Sequence, residues 1–383
     1  LARPAMLASL LWLAVLCAGD LAPGAEPPPA PLSVRSVRPA PEIERLFDSR
    51  EGWIGADAIY SIPLPDQSWL WVFGDTLVGT IRDGRRHDLR MVNNSFARQR
   101  GFGPEARVEL LLHRDPQGQP ASFLKPANQP GYFWIWDGLV ENGRLYLLAT
   151  RLTSPGTITA FDWTLLDQSL LVVDNPLAPP AQWRTRQVQL PCGEFTPDYE
   201  ALWGLEVLRT DSAVLIFGTA RDRPGDPRRL VVARVDPNQI DQPAEWQFWS
   251  RQGWQAQPRQ AAALATDVGT EGSLTWLPKR QRWVYVYSPP LDPRIQMRTA
   301  QTPLGPWSEP VTVHTCPEPQ GNPRVFCYAA KARQVPGRDD ELLVSYATNS
   351  LEMLPDVTAN SQLYQPRFLW LELPPSPQAP PHR

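Results

Sequence analysis

Cysteine and histidine are scarce: four of each occur in 383 residues. There is no pair of CxxC motifs and no histidine cluster, so the linear signatures of a zinc site are missing. His87, His113 and His314 stand at no spacing that would pair a nucleophile with a base. A GxSxG elbow and a phosphate-cradling glycine loop are both absent. So is the repeated Ser-x-Asp-x-Gly-x-x-Trp turn of sialidases. Net charge is only −3, which leaves no basic footprint for nucleic acid or an anionic membrane surface.

Long apolar runs are limited to one. "MLASLLWLAVLCAG" follows Arg3 and leads into small residues and then "EPPPAPL". That order is the pattern of an export signal, and the run is too short to anchor stably across a bilayer. Residues 1–25 are therefore expected to be a signal peptide, and the mature protein to be secreted or periplasmic. Loss of Cys17 would leave Cys192, Cys316 and Cys327, which is no disulfide framework. Cys316 and Cys327 bracket the turn-rich "CPEPQGNPRVFC" and could pair in an oxidising compartment.

Tryptophan and proline are plentiful instead, at 16 and 44. Aromatic residues punctuated by Pro and Gly suit many short strands rather than helices. One outline recurs five times: a strand, a polar or Gly/Pro-containing turn, and a strongly apolar second strand. The copies are "DAIYSIPLPDQSWLWVFGDT", "WDGLVENGRLYLLATR", "WGLEVLRTDSAVLIFGTAR", "EGSLTWLPKRQRWVYVYS" and "YAAKARQVPGRDDELLVSYATN". They start roughly 60 to 80 residues apart, which leaves room for two more strands per unit. Four antiparallel strands repeated five times predict an all-β, five-bladed β-propeller over residues 45–372. A large β-sandwich or two small β domains would need a linker that the interior lacks. Residues 26–44 read as a Pro-rich linker, and 373–383 as a Pro-rich tail.

In a propeller the first strand of each blade lines the central channel. The start of that strand is held by Asp57, Asp137, Trp203 or Gly204, Glu271 and Tyr328. Acidic groups converging on a funnel are what sugar cleavage needs, since one carboxyl donates a proton and another attacks or activates water. The first hairpin sharpens the case. If its turn centres on Asp66, Asp57 lies directly opposite Asp75, with Cβ atoms about 4.5–5.5 Å apart. One carboxyl of so close a pair should have a raised pKa, which suits an acid/base beside a nucleophile. A two-residue turn on Asp66 and Gln67 would slide the register and put them on opposite faces. Asp75 alone could equally cap a tight turn. Glu206, inside "WGLEVL", points into the channel or pairs with an arginine.

The segments "DAIYSIPLPDQSWLWVFGDTLVG", "VNNSF", "WGLEVL", "EGSLTW", "IQMRTAQTPLGPWSEP" and "LLVSYATNS" together resemble a family of secreted bacterial proteins known as domain of unknown function 4185. The resemblance covers about residues 45 to 372. It implies a five-bladed propeller related to arabinanases and other furanosidases. Some members are endo-acting D-arabinanases that retain configuration through a pair of aspartates, which fall here on Asp57 and Asp75. The expected function is a secreted glycoside hydrolase acting on a furanoside-containing, arabinan-like polysaccharide. Asp75 would be the nucleophile and Asp57 the general acid/base. Asp137 and Glu271 would tune pKa values or bind sugar hydroxyls. Asn94, Arg298, Tyr328 and Asn349 are candidate ligands at the channel mouth. The Trp-rich segments "GYFWIWDG", "EWQFWS" and "GWQAQP" would shape the pocket. The alternative is a non-catalytic carbohydrate-binding propeller of the cell envelope. The expected partner is a polysaccharide or oligosaccharide, the expected state a monomer. No cofactor is called for, although scattered carboxylates could hold a structural calcium.

Overall fold

The structure, a computed structural model, describes residues 27–154 and 161–375; the expected signal peptide lies outside them. Five antiparallel sheets form the blades, and the first four are laid down from the channel outward in chain order. Blade 1 comprises Tyr60–Pro63, Trp69–Phe73, Ser95–Arg100 and Arg107–Leu111. Blade 2 comprises Tyr132–Glu141, Arg144–Thr153, Thr164–Val173 and Thr185–Leu190. In blade 3, Tyr199–Arg209, Val214–Arg221, Arg229–Val235 and Gln247–Ser250 form the body. Blade 4 runs through Gly272–Leu277, Arg282–Tyr287, Arg294–Ala300 and Val311–Thr315. Blade 5 takes Val325–Gln334, Glu341–Ser350 and Arg367–Glu372 from the end of the chain.

Its fourth strand comes from the other end. Ser36–Pro39 pairs with Arg367–Glu372, from Ser36↔Glu372 to Pro39↔Leu369. This corrects the expected linker: residues 36–44 belong to the fold, closing the ring as a strand and a short helix, Pro41–Glu44. Proline at the strand end and edge costs little there, because no further strand needs its N–H. At the other end Leu373 is buried, so the body runs one residue past the expected boundary.

Local chemistry explains the hairpins. Asn142 and Gly143 have φ of 50° and 76° between the paired Glu141 and Arg144, the two-residue turn whose twist matches its strands. Strands such as Leu170 to Val173 and Val231 to Ala233 are buried on both faces, because each blade packs against a neighbour on either side.

Blade 1 carries an addition that no other blade has. Glu51–Ala56, Thr76–Arg82 and Arg85–Val92 form a three-stranded sheet continuing its two inner strands. Arg86 fixes this sheet to the helix Met353–Ala359. Its buried guanidinium donates to the carbonyls of Ile54, Val357, Asn360, Ser361 and Leu363. A buried cation persists only when its donors are met, and burial here pushes the Arg86 pKa down to about 10.

Cys192, Cys316 and Cys327 are buried free thiols. Cys316 and Cys327 are brought close together as thiols, with Glu318 beside them. Among the described residues no helix is long and apolar enough to cross a membrane.

Candidate active site

Four of the five inner strands break regularity near the channel mouth, and the other begins there. Blade 1 turns through Ala58 and Ile59, both at positive φ (67° and 58°). Blade 2 bulges between Ile135 and Gly138, blade 3 between Trp203 and Glu206, blade 5 between Tyr328 and Lys331. Blade 4 starts at Gly272, just after Glu271. Bulges re-aim side chains, and here they turn residues from several blades toward one cavity of about 420 Å³. A β-branched residue at positive φ is strained. The Lys331 ammonium helps hold this turn by donating to the Ala58 carbonyl at 2.5 Å.

The first hairpin has the register centred on Asp66. Tyr60 faces Val72 and Pro63 faces Trp69; the ladder then breaks at Ala58 and Ile59 and resumes with Ala56 facing Thr76, which leaves Asp57 and Asp75 at the break. The Asp57 N–H donates to the Asp75 carbonyl at 3.3 Å, and the Gly74 N–H to the Asp57 carbonyl at 3.2 Å. Gly74 is required for space. A Cβ there would lie 2.6 Å from Asp57 Oδ1, so the Asp57 carboxyl occupies the room a larger residue would fill.

The two carboxyls have different surroundings. Asp75 Oδ1 accepts from Asn93 Nδ2 at 3.0 Å and from the Trp134 indole N–H at 3.1 Å. Burial raises the Asp75 pKa to about 6, and these two donors hold it back from rising further. Asp57 Oδ2 accepts from the Tyr328 hydroxyl at 2.8 Å, and Tyr364 also hydrogen-bonds it. Burial first, then the charges of Asp75 and Glu271, lift Asp57 to about 8 against those hydroxyls. Both carboxyls are therefore raised, Asp57 further than Asp75. Both remain partly open to the cavity.

Its walls are aromatic. Trp134 meets Trp163 edge-on with ring centroids 5.2 Å apart, and Phe161 stacks on Phe326 at 5.8 Å. Tyr328 and Tyr364 stand against Asp57, and Asn349 and Glu271 also line the cavity.

Below this level the channel is closed by ion pairs. Arg333 donates to both Glu206 oxygens at 2.7 and 2.8 Å and lies 3.6 Å from Asp137. Asp137 also accepts from the Val207 N–H, and Glu206 from the Leu274 N–H. Burial raises Glu206 to about 8 and Asp137 above its ordinary value, with Arg333 opposing both shifts. Lys331 pairs with Glu271 at 2.9 Å and sits 4.1 Å from the centre of the Tyr60 ring.

The expected residues therefore separate into groups. Asp57, Asp75, Glu271, Tyr328 and Asn349 line one cavity. Asp137 and Glu206 lie deeper, bound to Arg333, and do not reach the mouth. Asn94 does not line the cavity: fully buried, it bonds to the backbone of Leu124 and Phe133. Arg298 is likewise spent on Tyr287 and Ser308, and on the carbonyl of Thr266, whose strand pairs with blade 3. Of the Trp-rich segments only the first reaches the cavity. Trp246 is core, and Trp249 packs on Trp254 at the blade 3 edge. Asn93, Tyr364, Lys331 and Arg333 were not foreseen, and Trp134 only as part of the first Trp-rich segment. Asn93 stands next to the chosen Asn94, and only the unpredicted strand boundary at Ser95 separates their roles.

The fold defines a class, the five-bladed β-propeller. Residues 41–372 match the family described as Domain of unknown function (DUF5005), and the chain belongs to that family. A candidate hydrolase from Bacteroides ovatus ATCC 8483 has the same fold, with a TM-score of 0.63 at 18% identity over 88% of this chain and 90% of that one. More distant are an endo-arabinase from Bacteroides thetaiotaomicron VPI-5482 (TM-score 0.45, 12% identity, 86% and 98% covered) and the GH43_1 enzyme from Xanthomonas citri complexed with xylotriose (0.45, 14%, 87% and 93%). No curated protein matches the chain.

Proposed function

We propose that the protein is a secreted glycoside hydrolase acting on a furanoside-containing polysaccharide. The observation that carries this reading is the facing of Asp57 and Asp75 in one aromatic-walled cavity, with their pKa values pushed apart to about 8 and about 6. The carboxyl that keeps its proton at neutral pH, Asp57, serves as general acid and later as base. The ionised one, Asp75, serves as nucleophile. Both line one cavity and the Asp75 charge helps raise the Asp57 pKa, which supports carboxyls near enough for the roughly 5–5.5 Å separation of retaining enzymes. The Trp134 indole N–H orients Asp75 for attack, and the Tyr328 hydroxyl orients Asp57 for proton transfer. Resemblance to the 4185 family supports arabinan as the substrate and endo action as the mode.

The test is incubation of the mature protein, and of Asp57→Asn and Asp75→Asn variants, with D- and L-arabinans and other polysaccharides, products being read by mass spectrometry. Oligosaccharides released by wild type and lost in both variants are the expected result. Binding of a glycan by wild type and Asp75→Asn, with no release at any pH, would overturn it in favour of a carbohydrate-binding propeller.

A further inference from the structure

One wall of the cavity carries more positive charge than it neutralises. Arg221 ends the second strand of blade 3, and Arg228 immediately precedes the third; both line the cavity. They share a single carboxylate. Arg221 Nε and Nη2 donate to Glu200 Oε2 at 2.9 and 2.6 Å, and Arg228 Nη2 donates to Glu200 Oε1. Against its own burial, Arg228 and then Arg221 hold Glu200 below the usual carboxylate range, so it is ionised and the triad carries one net positive charge. The neighbouring Asp222 does not cancel that charge, because it pairs with Arg229 at 2.8 Å. Arg221 Nη1 and Arg228 Nε donate no hydrogen bond among the described residues. The side chains are 24% and 9% exposed, so this is a half-desolvated cation on a cavity wall rather than a solvated surface arginine.

An uncompensated charge in such a place is costly unless something meets it. Guanidinium presents its donors as a planar fork that matches a carboxylate. We propose that Arg221 and Arg228 form an anion subsite that takes the carboxylate of an acidic sugar, a uronic acid residue within the glycan. This rests on the glycosidase reading and narrows its substrate class. Glu200 orients the two forks and is the internal occupant that the substrate carboxylate complements rather than displaces.

The experiment is calorimetric titration of the Asp75→Asn protein, which cannot turn over, with uronic-acid-bearing oligosaccharides, each beside its carboxyl-reduced neutral counterpart. At least one acidic member should bind roughly tenfold more tightly than its reduced partner, as expected for a charge-assisted pair, and added salt should shrink the difference. Adding Arg221→Gln should abolish the preference. Adding Glu200→Gln, which raises the local positive charge, should widen it; melting temperatures identify any variant that fails to fold. Equal binding within every pair overturns the subsite, as does cleavage of a neutral polysaccharide by an enzyme that binds no acidic one. A wild-type protein that neither binds nor cleaves any glycan overturns the glycosidase reading first and the subsite with it.

Discussion

Asp57 and Asp75 face each other across one hairpin, the N–H of the first donating to the carbonyl of the second at 3.3 Å. Their surroundings fix the order in which they lose protons. Asp75, pushed up to about 6, ionises first, and Asp57, pushed up to about 8, holds its proton through neutrality. Hydrolysis that needs Asp75 ionised and Asp57 protonated should therefore follow a bell centred near pH 7. The two limbs report apparent values of the coupled pair. A kcat/KM profile from pH 4 to pH 10 checks this. A rate that keeps rising above pH 9 would exclude Asp57 as the acid.

Trp134 offers a way to move one limb alone. Its indole N–H stabilises the ionised form of Asp75. Trp134→Phe keeps an aromatic wall but removes that donor, so the Asp75 pKa should rise. The acidic limb should then shift to higher pH while the basic limb stays in place. The same profile, repeated on the variant, reads both.

Gly74→Ala tests the room beside Asp57. The added Cβ would come within 2.6 Å of Asp57 Oδ1, and that oxygen is the movable end of a side chain. The fold should survive while the carboxyl is displaced, and a misplacement of about 1 Å can cost on the order of 10²-fold in rate. Circular dichroism and melting temperature should match wild type while kcat falls. A fully active Gly74→Ala protein would show that the position of Asp57 does not matter to the chemistry.

Asp57 should also make stability depend on pH. Its folded-state pKa lies above its unfolded value, so the folded state holds this proton more tightly. Its contribution is complete below about pH 4 and is lost as pH rises toward about 8. Asp57→Asn removes that loss. The variant should be more stable than wild type at pH 8.5, by about 1 kcal/mol once solvent screening is allowed for, and should show no such gain at pH 4. Urea unfolding at the two pH values measures the difference.

The sequence made the blades legible because each repeats a strand, a turn and an apolar second strand, and because burial on both faces leaves long apolar runs. The Asp57–Asp75 register was legible too, since a hairpin count about Asp66 is local arithmetic. What was missed depends on contacts between distant segments. Ser36–Pro39 reads as a linker because its partner strand lies more than three hundred residues away. Arg333 and Lys331 look like ordinary charges of a strand. Only closure of the ring puts them beneath Asp137, Glu206 and Glu271. Asn94 and Arg298 were plausible as polar residues near strand ends, but their hydrogen bonds turn them into the blades.

Arg333 is the residue on which the channel floor depends. It is the cation held between Glu206 and Asp137, whose side chains are each 2% exposed. Removing one partner of a buried ionic cluster leaves uncompensated charge and typically costs about 3–5 kcal/mol. Arg333→Met should cost that much at pH 8. With the cation gone, both carboxyl pKa values rise further above their unfolded values, so the penalty grows as pH climbs and shrinks as the groups take up protons. At pH 5 the variant should recover part of the loss, and the triple variant with Asp137→Asn and Glu206→Gln should recover most of it at either pH. Denaturant titrations of the three proteins at pH 5 and pH 8 decide the point. A pH-independent loss would mean that Arg333 acts by packing rather than by charge.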